Sequence, residues 1–333
     1  MENKNGSAMR RVWSKYTSLN GSGVLIAMIV YIILISVVAP FVTGGTFLTY
    51  TNIMNVLRQQ SYIGIIATAM TFVIMTGNID LSVGSLLTLL AVICAQLTQY
   101  GPWVAIIVTL LLGLVCGAIN GLFVAGMKLN AFITTIAMGS VYGALTLIIA
   151  PGSTTRVQEP VFDMLGGGFV LGFIPTAVFI MIVFVIVLGI VMSKTVFGRR
   201  LRAIGSNPLA ARFSGIHSQL YIFLCYCLVG LAVSVASILY IARSVAANPQ
   251  LTSGDEMLVV MAVVLGRCTI KGGKGSVWGT IIGFLLILLS IAVFWKRIKH
   301  NFLHFERRFY ANLHAVDRDK ITVLDKRTKF LHL

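Results

Sequence analysis

The sequence predicts an all-α, polytopic bundle of transmembrane helices, about nine spans in one membrane domain. Three observations carry that expectation. Of 333 residues, 57% are hydrophobic and only 11% charged, against about 25% charged in soluble domains. Mean hydropathy is +0.92. The apolar residues fall into runs near the 20 or so residues that cross a bilayer, and the basic residues collect in the gaps between them. A soluble fold could not cover such a core with so few charges, and a disordered chain would not contain it.

Residues 1–22 form an N-terminal segment that carries Lys4, Arg10, Arg11 and Lys15. The run at 23–43 follows this basic flank. It is too long for a cleaved signal, lacks an Ala-x-Ala site and is followed by many other spans, so it reads as a retained helix with a cytoplasmic N-terminus. Further runs lie at 61–77, 82–99, 103–126, 131–150, 170–192, 220–242 and 277–295. A run at 256–266 is too short to span unless it is tilted, broken or re-entrant. Alternating spans place Lys128, the basic gap 193–219, and Arg267, Lys271 and Lys274 inside. Arg156, Glu159, Asp163 and the 243–255 gap come out outside. That agrees with the positive-inside rule, provided that 256–266 crosses.

The net charge of +16 is therefore a topology signal, and no nucleic-acid partner is expected. The five cysteines lie in apolar runs or a short basic gap without CxxC spacing, and no metal site is expected. Lys271-Gly272-Gly273-Lys274-Gly275-Ser276 has Gly after the Lys where a phosphate loop needs Ser or Thr, so it reads as a tight turn. Gly166-Gly167-Gly168 lacks a strand-loop-helix setting, and no catalytic constellation appears. The chain is expected to be no enzyme and to hold no cofactor. Gly113/Gly117/Gly121, Gly139/Gly143 and Gly279/Gly283 form small-xxx-small stripes that let helix backbones approach closely in lipid.

Two segments carry polar information. Intramembrane acids are expensive, and Asp80 is the one acid embedded among apolar runs, in the stretch from Met75 to Ser85. Gly77 and the Asn78/Asp80 pair predict a helix break, with Asp80 or Ser82 capping the next helix. In the 193–219 gap, Ser206-Asn207-Pro208 predicts the start of a short helix through Phe213, ending at Gly215. That gap suits either a helix lying on anionic lipid or a docking element for a soluble partner.

Three motifs resemble the permease subunits of bacterial ABC importers for simple sugars, the ribose/xylose/galactose-type branched family, over about residues 35–287. The membrane motif, Gly77, Asn78, Asp80, Ser82, Gly84 and Ser85, is similar to the family's G-x-I-D-L-S-V-G-S. The loop from Gly198, Arg199, Arg200 and Arg202 through Gly205, Ser206, Asn207, Ala210 and Ala211 to Gly215 resembles its long cytoplasmic loop. The cytoplasmic turn with Gly266, Gly272, Gly273, Lys274 and Gly275 resembles its V-L-G-G-T-S-L-x-G-G-K-G block. The resemblance implies a bacterial inner-membrane permease of about ten helices, paired with a second copy or a paralogue. It implies a separate cytoplasmic ATPase that binds ATP and pushes on the 198–216 loop, and a periplasmic or lipid-anchored sugar-binding protein. The alternative is an ion-coupled secondary transporter of a small polar solute, which requires several intramembrane acids or histidines.

Two departures stand out. Arg267 replaces a family Gly. After about Ile287 the chain turns to Trp295-Lys296-Arg297 and a basic tail over 296–333, in place of the family's Gly/Asn-rich helix and final span. If 277–295 crosses outward, ten tail cations break the positive-inside rule. Either 288–333 is altered sequence or 277–295 does not cross.

Overall fold

The computed structural model describes residues 30, 49–150, 154–157, 159–249 and 254–290. Apart from Val30, the 1–22 segment and the 23–43 run lie outside the described residues, as does the 296–333 tail. The described chain is helical, with four two-residue strands. Its helices are α1 (Tyr50–Met75), α2 (Val83–Leu97), α3 (Pro102–Gly121), α4 (Ala131–Ile149), α5 (Pro160–Gly167) and α6 (Thr176–Lys194). They continue with α7 (Val196–Ser206), α8 (Pro208–Phe213), α9 (Ser218–Ser244), α10 (Asp255–Leu265) and α11 (Val277–Ser290).

Five of the described helices are long and apolar enough to cross a bilayer: Val83–Tyr100, Pro102–Gly126, Ala131–Ile149, Thr176–Lys194 and Ser218–Ser244. The 61–77 run proves to be the buried half of a longer helix. α1 begins at Tyr50, capped by the Thr49 hydroxyl, and Arg58, Gln59 and Gln60 dilute its first half. The 170–192 run also shifts, because a hairpin of β2 (Phe169–Val170) and β3 (Ile174–Pro175) precedes α6. α10 has 11 residues, a rise of about 16 Å against the roughly 30 Å of hydrocarbon. The Tyr62 hydroxyl donates to Asp255 at its N-terminus at 2.9 Å.

α9 is the central post. It packs against α1, α2, α3 and α5. It meets α3 at backbone distance, because both helices present small residues there. A Cβ on Gly117 would lie 2.4 Å from the Tyr226 carbonyl, and one on Gly113 would lie 2.6 Å from that of Gly230. The Gly279/Gly283 stripe is also a backbone contact, against Gly266 and Ala262. The Gly139/Gly143 stripe is only half realised: Gly139 rests on Ser82 and Ser85, while Gly143 faces open space.

The same residues explain what faces outward. α3 buries Ala105, Thr109, Gly113, Gly117, Asn120 and Gly121, and exposes Trp103, Ile107, Leu111, Leu114 and Val115. A wide apolar face turned outward belongs against acyl chains. Thr68, Thr71, Thr109 and Thr146 each return their hydroxyl proton to the carbonyl four residues back, so none of these four hydroxyls is stranded in the apolar layer. At the opposite end from the α6–α9 loop, β1 (Thr155–Arg156) pairs antiparallel with β4 (Ala246–Ala247). There α5, which the sequence reading did not anticipate, seats Gly166 against the Ala242 carbonyl.

Replacing Gly117 with Val forces α3 from α9 and is expected to cost about 2 kcal/mol or more, the usual range for overpacking. Gly143→Val meets no neighbour and is expected to cost under about 1 kcal/mol. Thermal unfolding of the two variants in detergent, followed by tryptophan fluorescence, checks the contrast.

Candidate functional site

The polypeptide between α1 and α2 leaves helical geometry over residues 76–82 inside the bundle. Gly77 makes the exit possible: its φ of +81° lies in the left-handed region, which a side chain disfavours. Its N–H returns to the Ile74 carbonyl at 2.9 Å. The Tyr226 hydroxyl on α9 donates to the Ile79 carbonyl at 3.1 Å, and Leu81 N–H donates to the Thr135 hydroxyl on α4 at 3.1 Å.

Asp80 organises the rest. One carboxylate oxygen accepts from Ser82 N–H at 2.9 Å and from the Ser82 hydroxyl at 2.6 Å. The Asn120 amide on α3 donates to the Ser82 oxygen at 2.8 Å and lies 3.4 Å from the other Asp80 oxygen. The Tyr142 hydroxyl on α4 closes the chain at 3.1 Å from the Asn120 carbonyl oxygen. Asp80, Ser82, Asn120 and Tyr142 are all buried. The expected cap is thus corrected in detail. Ser82 is the N-cap residue of α2, but its side chain makes no capping bond, because its hydroxyl is turned to Asp80. Asn78 donates to the Thr76 hydroxyl at 2.9 Å and stays local to the turn. Gly84 and Ser85 lie in the first turn of α2, and Ser85 faces Gly139.

The α6–α9 loop folds as anticipated from Asn207 onward. The Asn207 side chain accepts from Ala210 N–H at 3.0 Å, Pro208 takes the first turn of α8, and Gly215 ends it at φ +76°. α7 is held from both sides. The Arg202 guanidinium donates to the Met192 carbonyl at 2.5 Å, and a Cβ on Gly198 would fall 2.0 Å from that same carbonyl. Arg200 lies over the Tyr221 ring and hydrogen-bonds its hydroxyl. Arg199 donates to the Lys194 carbonyl at 3.3 Å and is otherwise outside the cluster. Ala211 is buried beneath α8, whereas Ala210, Leu209 (66% exposed) and Phe213 (87% exposed) face outward.

The 266–276 turn closes through Thr269 N–H to the Lys274 carbonyl at 2.9 Å. Gly272 and Gly273 take φ of +84° and +78°. Arg267 takes φ +68°, a conformation in which the Gly it replaces would carry no side-chain penalty. Lys274 is exposed and contributes its carbonyl, not its charge, to the turn.

These three segments meet at backbone distance. Gly273 N–H donates to the Met75 carbonyl at the end of α1, at 2.9 Å. A Cβ on Gly205 would sit 1.9 Å from that carbonyl and 2.4 Å from Gly273 N. One on Gly273 would meet Ser206 at 2.6 Å, and one on Gly272 would meet Gly77 N at 2.7 Å. The exposed α7–α8 element thus bears directly on the mouth of the break that holds Asp80. The sequence reading did not single out Asn120, Tyr142, Tyr226 or Thr135. The available signal was a buried amide and hydroxyls within apolar runs.

The sequence matches the profile of a family described as the permease component of the branched-chain amino acid transport system, over residues 52–299. The chain belongs to this family. It is a transport permease, not an enzyme, and a polytopic helical membrane protein. It is 36% identical over 288 residues to the ribose import permease protein RbsC of Escherichia coli K12, covering 82% of this chain and 88% of that one. It is 33% identical over 259 residues to the fructose import permease protein FrcC of Rhizobium meliloti, covering 74% and 71%. It is 31% identical over 287 residues to the L-arabinose transport system permease protein AraH of E. coli K12, covering 85% and 84%. No solved structure matches. The profile continues to residue 299, past Ile287, where the sequence motifs of the family end.

In this permease, Asp80→Ala leaves Asn120 its bond to the Ser82 oxygen but strands the Ser82 N–H and hydroxyl in a buried site. It is expected to cost about 3 kcal/mol, as unsatisfied buried donors do. Asp80→Asn keeps an acceptor for Ser82 and is expected to lose less than half of that. Thermal unfolding of both variants is the check; equal losses would show that charge, not hydrogen bonding, holds the turn.

Proposed function

We propose that the chain is the membrane-spanning subunit of an ABC importer that moves a monosaccharide across the bacterial inner membrane. The observation that carries the reading is the junction of Gly205, Met75 and Gly273, which joins an exposed docking element to a break inside the bundle. The sugar class is supported by the ribose, fructose and arabinose permeases that it resembles.

On this reading the pathway is formed with a second copy or a paralogue, and a periplasmic or lipid-anchored binding protein delivers the sugar. A cytoplasmic ATPase, which binds the ATP, docks on α8 through Leu209 and Phe213. Its movement reaches the bundle through α7. Gly205 has no side chain to yield, so displacement of α7 shifts the Met75 carbonyl and the Gly273 turn together. The strain falls on residues 76–82. Their hydrogen bonds run to three other helices, α3, α4 and α9, and so couple the break to the pathway.

ATP-dependent uptake of a labelled monosaccharide panel, in proteoliposomes with the neighbouring ATPase and binding protein, tests the proposal. Accumulation of one sugar, abolished by ATP depletion, is expected. Transport that survives ATP depletion and collapses with an ionophore overturns it in favour of ion coupling.

Two substitutions separate docking from transmission. Ala210→Asp sits in the first turn of α8, where an acid is compatible with the helix. It is expected to lower ATPase co-purification about tenfold, because it buries an unpaired charge at the contact. Gly205→Val is expected to retain the ATPase and lose ATP-driven uptake.

A further inference from the structure

A cavity of about 420 Å³ lies beside the docking element, apart from the Gly205 junction. Its polar lining is Lys128, Arg212, His217, Ser218 and Gln219, with no acid. Four features mark it as a place for an anion. Lys128 and Arg212 bring two fixed positive charges from different loops. The floor is the N-terminus of the 27-residue α9, whose N-cap position, His217, makes no side-chain capping bond. Ser218 and Leu220 N–H donate to the Ile216 and His217 carbonyls, and the helix dipole adds a positive field. The Ser218 hydroxyl is buried and has no hydrogen-bond partner, an unusual state for a buried polar group. Lys128 is held at φ +58°, a left-handed conformation that costs a residue with a side chain about 1 kcal/mol. Met127 N–H and Leu129 N–H, bonded to the Leu122 and Phe123 carbonyls, fix it there.

The position adds the ligand class. The cavity lies where the membrane-length helices Pro102–Gly126, Ala131–Ile149 and Ser218–Ser244 end, the level of lipid headgroups. Leu122 and Met127 on one side and Leu220 on the other are 55%, 60% and 54% exposed. They continue the rim as an apolar surface. Positive charge at headgroup level above exposed apolar side chains is the arrangement that suits an anionic phospholipid.

We propose that this cavity is a phosphate-group site on the cytoplasmic face, filled by the headgroup of an anionic inner-leaflet phospholipid or by a free phosphate anion. The cytoplasmic placement rests on the distribution of basic gaps. The site requires neither the ATPase nor the sugar, so its failure leaves the transport reading untouched.

The test uses the full chain purified from vesicles of phosphatidylcholine and phosphatidylglycerol, with retained lipid counted by native mass spectrometry. The Lys128→Gln/Arg212→Gln variant is run beside it, and inorganic phosphate is titrated against thermal unfolding of both. The expected result is preferential retention of phosphatidylglycerol, weakened about thirtyfold in the variant, the equivalent of roughly 1 kcal/mol per cation. Stabilisation by inorganic phosphate in the parent alone, without lipid preference, supports the site and identifies free phosphate as its ligand. No difference between parent and variant with either probe overturns the proposal. Loss of ATPase co-purification with unchanged lipid and phosphate binding also overturns it, and reassigns the cavity to subunit docking. If the double variant does not fold, the parent decides: retention of phosphatidylglycerol must fall with rising salt, and salt-independent retention overturns the proposal.

Discussion

Within a bilayer every interior backbone group must find its partner inside the protein. The break between α1 and α2 is where this permease meets that requirement at greatest length. Seven residues, 76–82, run without helical hydrogen bonding through a buried site. Their first N–H groups turn back to the Val73 and Ile74 carbonyls, Asp80 serves Ser82 within the turn, and Ile79 and Leu81 find partners on other helices: Tyr226 on α9 and Thr135 on α4. α3 joins through Asn120, which bonds Ser82. The packing of the bundle and the conformation of this turn are therefore one condition. An embedded carboxylate, normally a heavy penalty, is tolerable here because it accepts hydrogen bonds from both donors of Ser82.

The glycines follow from the same requirement. Three chain segments converge on the Met75 carbonyl, and only residues without side chains let them reach it. Gly205, Gly272 and Gly273 are required by space, not by flexibility, because a Cβ on each would fall within 3 Å of a backbone atom. Such a junction suits transmission. A contact between side chains relaxes by rotamer changes, whereas backbone against backbone moves as a unit. The α3–α9 interface uses the same means for a static purpose, since Gly113 and Gly117 hold two membrane-length helices together along their middles.

Much of this was legible in the sequence. The spans over 82–99, 103–126, 131–150 and 220–242 followed from apolar run length, and the helix over 208–213 from the Asn-Pro start. The break at Gly77 and the special position of Asp80 followed from one acid in an apolar setting. What was not legible lies in tertiary choice. The sequence showed three motifs separated by about 120 and 65 positions, and nothing local to any of them says that Gly205 rests on Met75. Arg58, Gln59 and Gln60 concealed the start of α1, because a composition window cannot see a helix that continues through polar residues once Thr49 caps it. Ser82 looked like a cap, since Ser caps helices often. Asp80, two residues earlier, won the competition for its hydroxyl and took over the bond to its N–H. Asn120 was hidden for the opposite reason: an amide in an apolar run carries no signal until the partner across the interface is known.

The exposed end of the proposed coupling path has its own logic. α8 spans six residues, too few to be stable alone in water. Its Asn207 cap, its Pro208 and the burial of Ala211 hold it, and they do so without using Leu209 or Phe213. Those two apolar side chains remain outside the permease's own packing, on a platform braced against α9 through Arg200 and Tyr221 and against α1 through Phe197 and Phe72. A short helix made rigid by its neighbours, with its apolar side chains left outward, fits the docking role proposed for it. The nearest place for a partner's force to go is Gly205, two residues before the cap.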